Sequence, residues 1–138
     1  MAYSTISKPS LHFNTKLYTG NDTGQSITGV GFEPSLTWIK SRTSTERHVL
    51  TDAVRGVYKE LRSNETAAES DRTSYGGLSA FGADGFTVGA DDGYNDSLKN
   101  YASWNWKANG AGSANTDGSI NSTVSANTTS GFSIVKYV

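Results

Sequence analysis

Short alternations of apolar and polar residues, each closed by a turn, run the length of the chain. FNTKLYT (residues 13–19) sets Phe13, Thr15, Leu17 and Thr19 on one face and ends at GNDTG. QSITGVGF predicts a short strand around Ile27, closed by Glu33-Pro34 because proline cannot donate to a ladder. SLTWIKSR (35–42) sets Leu36, Trp38 and Lys40 against Thr37 and Ile39. RHVLTDAV (47–54) sets His48, Leu50 and Asp52 against Val49, Thr51 and Ala53. LSAF and GFTVG predict a hairpin around GADG, since Asp-Gly between apolar runs is a strong turn signal. YASWNWK (101–107), SINSTVS and GFSIVKY supply the last strands. Only DAVRGVYKELRSNETAAES (52–70) offers a competing helical period, through Val54, Val57, Tyr58 and Leu61. Gly56 and the density of charge interrupt it, so a short strand at 58–62 is expected instead. About ten short strands at this spacing predict an all-β fold, a single antiparallel β-sandwich with jelly-roll character. Residues 1–11 are expected to form an N-terminal arm and residues 12–138 the sandwich.

Composition sharpens this picture. Ser, Thr, Asn and Gly make up 60 of the 138 residues, a bias toward turns and strands. Yet 15 aromatics stand in turn-bounded clusters, which disordered chains lack. The formal net charge is −1, and no basic stripe supports nucleic-acid binding. There is no cysteine, which excludes a disulfide framework, a thiolate nucleophile and a Cys-based zinc site. MAYSTISKPSLHF lacks the apolar run of a signal peptide, and no stretch is long and apolar enough to span a membrane. Synthesis in a cytoplasm, with no membrane insertion, is the expectation.

The chemistry-bearing candidates are few. In YASWNWK, Ala102, Trp104 and Trp106 share one face and Tyr101, Ser103, Asn105 and Lys107 the other. With apolar residues this scarce, the indoles are expected in the core, with Trp38 joining them from a facing sheet. A sugar-stacking platform is the competing reading. DDGYND (91–96) gathers Asp91, Asp92, Asn95 and Asp96, but without the spacing or closing Glu of an EF-hand, so it reads as a polar turn. Glu60, Glu65, Glu69 and Asp71 include possible glycosidase carboxylates, but they fall in a charged stretch that reads as a solvated loop. No Walker loop or dinucleotide fingerprint is present. The sequence therefore predicts no catalytic residue, no cofactor and no metal. Arg55, in DAVRG, reads as a clamp on Asp52 or as a partner contact. Tyr3 and Ile6, in the N-terminal arm, are poor choices for a segment that meets only water. They are candidate contacts through which the arm adds a strand to a neighbour.

The succession FNTKLYTGN, QSITGVGFEPSLTWIKSR, HVLTDAVRG, KELRSNETAAE, LSAFGADGFTVG, YASWNWKA and GSINSTVSANTTSGFSIVKY resembles a domain of tailed-bacteriophage virion proteins. That domain is of the concanavalin A-like, laminin-G-like β-sandwich type, in tail fibres and other particle-surface proteins. The resemblance covers residues from about 12 to 137 and carries over no catalytic residues. With no attachment domain or heptad stalk in view, it implies a non-enzymatic virion protein on the particle surface. A head decoration or cement protein is expected first, a tail-fibre module next. The expected partners are capsid or tail proteins and further copies of the chain. The alternative is an adhesin module that binds a host surface glycan.

Overall fold

The computed structural model describes Ile6 and residues 8–138. After a 3-10 turn at Pro9–Leu11, the chain forms twelve strands among the described residues. They are β1 (Phe13–Thr19), β2 (Gln25–Thr28), β3 (Leu36–Ser41), β4 (Val49–Asp52), β5 (Lys59–Arg62), β6 (Ser70–Asp71), β7 (Leu78–Gly82), β8 (Gly85–Val88), β9 (Asn100–Trp106), β10 (Ser113–Asn115), β11 (Ser122–Asn127) and β12 (Phe132–Tyr137). A second 3-10 turn (Thr73–Tyr75) precedes β7, and a single helical turn, α1 (Asp92–Asn95), precedes β9. All pairings are antiparallel. They build a central six-stranded sheet in the order β1-β9-β3-β4-β5-β6 and two three-stranded sheets, β2-β8-β7 and β10-β11-β12. The all-β antiparallel sandwich expected from the strand spacing is what forms. The segment with the competing helical period becomes β5.

The main core lies between the central sheet and β2-β8-β7. Ile39, Val49 and Tyr101 meet Ile27, Leu78, Phe86 and Val88 there, with Tyr94 of α1 inserted beside them. Tyr18 stacks on Tyr101 with ring centroids 5.1 Å apart, closing the β1 end. The β7–β8 hairpin can approach closely because of Gly85. Its φ is +151°, and a Cβ there would sit 1.9 Å from the Ile27 carbonyl oxygen.

The orientation of β9 reverses the expectation for the tryptophans. Tyr101, Ser103 and Asn105 face the core and are wholly buried, whereas Trp104 and Trp106 are half-buried on the opposite face. Trp38 stands beside Trp104 on the adjacent strand β3, with which it is in register, and not on a facing sheet. It too is only half-buried. The physical reason is mutual satisfaction of the short polar side chains. Thr37 Oγ1 donates to Asn105 Oδ1 (3.1 Å), and Asn105 Nδ2 donates to the Asn14 carbonyl and to Ser103 Oγ (both 3.1 Å). A buried polar group with its partners in place costs little, so these residues occupy an interior face without penalty. The indoles then take the outer face, which β10-β11-β12 covers in part. Phe132 of β12 stacks on Trp106 at 6.2 Å.

Candidate functional site

Two polar constellations and one apolar surface hold the main described candidates. The first polar constellation is a buried ion network. The Glu60 side chain is fully buried, and its Oε1 accepts from Arg47 Nε (2.9 Å) and Arg62 Nε (2.7 Å). Asp91, also fully buried, accepts from Arg47 Nη2 (2.5 Å) and Arg72 Nε (2.8 Å) and caps α1 through the Gly93 N–H (2.9 Å). Arg47 lies flat against Gly93, where a Cβ would come within 2.8 Å of its guanidinium carbon. Burial alone would lower the Arg47 pKa, but its bonds to Glu60 and Asp92 raise it instead. Burial pushes Asp91 upward against the pull of Arg47 and Arg72, while the Arg47 bond holds Asp92 below the usual carboxylate range. Tyr94 is raised by burial and by Glu60.

This network takes up Glu60, Glu65, Asp91 and Asp92 of the sequence candidates. Asp91 and Asp92 turn their oxygens toward guanidinium groups. Asn95 is spent on Asn21 (3.0 Å) and the Gly89 carbonyl (2.8 Å), pinning α1 to the β1–β2 loop. Among the described residues no three His, Asp or Glu side chains converge as metal ligands. The four glycosidase candidates are each engaged by a cation: Glu60 as above, Glu65 by Arg62 (2.8 Å), Glu69 by Arg55 (3.1 Å) and Asp71 by Lys59 (2.8 Å). A general acid needs the opposite setting, apolar and unpaired. No motif or spacing singles out Arg47 and Arg72. They are scattered in polar segments, and only the fold gathers them.

Arg55 forms the second constellation. Its Nε donates to Asp52 Oδ2 (2.6 Å) and its Nη2 to the Leu50 carbonyl (3.0 Å). Asp52 also accepts the Arg55 backbone N–H (2.8 Å), so the pair clamps the turn after β4. The guanidinium is thus engaged within its own chain, although it still lines a shallow groove beneath β12 with Leu61 and Ile134.

The apolar surface is the outward face of the central sheet. Register places Phe13, Trp106, Leu36 and Asp52 in one row, and Thr15, Trp104, Trp38, Leu50 and Leu61 in the next. Leu17, Ala102 and Lys40 follow. Leu17 is 63% exposed, Leu61 41% and Phe13 38%. The indoles of Trp38 and Trp104 lie 5.7 Å apart, and Trp38 Nε1 donates to His48 Nδ1 (3.3 Å). Of the two arm candidates, Tyr3 lies outside the described residues. Ile6 lines a cleft at the Phe13 end of this face, beside Pro9, Trp106 and Phe132.

Residues 8–138 match the family described as a domain of unknown function, DUF7483, and the chain belongs to that family. Neither a curated protein nor a solved structure matches it.

Proposed function

We propose that this chain is a non-enzymatic structural protein of a bacteriophage particle, displayed on the particle surface and held there by protein–protein contacts. Head decoration or cement is the first form of this reading, a tail-fibre module the second. The motif succession supports the phage setting. The observation that supports the attachment role is the outward sheet face, where exposed Leu17 and Leu61 flank a row of half-buried Trp104, Trp38 and Leu50. A largely apolar face of this kind is what a partner subunit covers. Leu17→Glu tests it. At 63% exposure the substitution leaves folding intact, and occupancy on purified particles should fall to background. Full occupancy of the variant, or absence of the wild-type protein from particles, refutes the reading.

A second reading, a glycan-binding adhesin module, gains support from one observation. All three tryptophans lie on the outer side of the central sheet, away from the main core, and each is partly exposed there.

A further inference from the structure

We propose that the cleft between the start of β1 and the β11–β12 turn binds a neutral pyranose ring of a glycan, an assignment that rests on the second, glycan-binding reading. The cleft measures about 350 Å³, within the range of small-molecule sites. Its wall is aromatic. Phe13 and Trp106 lie 5.0 Å apart with their planes at 51°, and Trp106 and Phe132 lie 6.2 Å apart at 24°. A pyranose presents axial C–H groups on one face and hydroxyls around its rim, so it needs such a wall together with neutral hydrogen-bonding groups.

His12, Ser130 and Gly131 supply the second requirement. Asn127 Oδ1 accepts the Ser130 N–H (3.2 Å), which fixes the orientation of its amide. Its Nδ2 donates to the Lys107 carbonyl (3.1 Å) and meets His12 Nδ1 at 2.9 Å. With Nδ1 accepting, the proton of neutral His12 sits on Nε2, a donor without a partner among the described residues. Asn127 therefore sets the tautomer of His12 and the shape of the turn together. Ser130 Oγ makes only a long bond, 3.4 Å, to the Asn127 carbonyl, leaving its lone pairs available. At Gly131, with φ +71°, a Cβ would meet nothing within 4 Å, so the space beside the turn is open. Among the described residues no Asp, Glu, Lys or Arg lines the cleft, which favours a neutral ligand over an acidic sugar or a phosphate. A proline-rich peptide shares the liking for an aromatic wall, but it presents no rim of hydroxyls to use His12 and Ser130.

The test is titration of the full chain, its indoles labelled with nitrogen-15, against methyl glycosides of glucose, galactose, mannose, N-acetylglucosamine and rhamnose at tens of millimolar. At least one glycoside is expected to move the Trp106 indole N–H while leaving Trp38 and Trp104 in place. His12→Ala should weaken that binding about tenfold, the effect of one lost hydrogen bond. Ser130→Trp should fill the cleft and abolish binding, with melting unchanged in both variants. If no glycoside moves Trp106, or if Ser130→Trp binds as the wild type does, the cleft is not a sugar site. Movement of Trp106 by a polyproline peptide alone overturns the choice of ligand. Movement of Trp38 or Trp104 in place of Trp106 sinks the cleft but leaves the glycan reading standing.

Discussion

Removing Glu60 should be among the most damaging single changes in the molecule. Its carboxylate is fully buried and answers the guanidiniums of Arg47 and Arg62 through Oε1. Among the described residues Oε2 has no hydrogen-bond partner, and its near neighbour is Arg72 Nε at 3.9 Å. Glu60→Ala leaves these cations, with side chains 9–20% exposed, with less compensating charge and a void in place of an acceptor. Breaking a buried ion pair from one side costs about 3–5 kcal/mol. For 138 residues the unfolding entropy is about 290 cal/mol/K, so the expected loss in melting temperature is roughly 10–17 °C. Glu60→Gln keeps the Oε1 acceptor and the shape, and should cost less, about 1–3 kcal/mol. Calorimetry or thermal circular dichroism reads both. In a double-mutant cycle, Arg47→Ala with Glu60→Ala should cost less than the sum of the single changes by at least about 1 kcal/mol, because the second removal relieves an unpaired charge. The deficit should persist in molar salt, since buried pairs are poorly screened. A cost below about 1 kcal/mol for Glu60→Ala, or strict additivity in the cycle, would show that the network is not a stabilising unit.

Asp84 takes the backbone N–H groups of Gly29 (2.9 Å) and Gly31 (2.6 Å), and these bonds hold its pKa below the usual carboxylate range. A lowered folded pKa contributes stability in full above the unfolded value near 4 and loses it as pH falls through the folded value. The melting-temperature gap between wild type and Asp84→Asn should therefore be widest at neutral pH and narrow toward pH 2; a constant gap refutes the linkage. Leu98 holds φ at +62° and is 84% exposed, so Leu98→Gly should raise the melting temperature by about 2–3 °C, backbone relief exceeding the added chain entropy. Gly85→Ala should lower it by roughly 10 °C or more, because its Cβ would strike the Ile27 carbonyl; a variant that melts normally would mean the hairpin can shift away.

How far the sequence could be read depended on which forces act locally. β1 forms over the residues whose alternation marked it, because its pattern and its closing turn agree. The β7–β8 hairpin was legible from Asp84-Gly85 for the same reason. Gly56 ended the helical period in DAVRGVYKEL, and β5 followed. Two strands escaped. β6 is two residues long and β10 three, and their segments carry almost no apolar signal. The Asp52–Arg55 clamp could be inferred from spacing. The Arg47–Glu60–Asp91–Arg72 network could not, because its members come from four separate segments and only long-range packing makes them neighbours.

The tryptophan strand shows where the argument from scarcity breaks. It held that a chain poor in apolar residues must bury its indoles, which assumes that a sheet has one inside and one outside. Here the central sheet is covered on one face by β2-β8-β7 and in part on the other by β12. Either face of β9 can then be the more buried one. The choice falls to whichever side chains pack more closely. Ser103 and Asn105 are short and satisfy one another and their neighbours, so they fit the tight interface beneath Tyr101. Two indoles there would have to displace Tyr101, Tyr18 and Phe86, which already fill that volume with mutual ring contacts. Polar residues inside thus leave the large apolar rings outside. That inversion puts Trp104 and Trp106 on the side of the sheet opposite the one composition alone would assign them to.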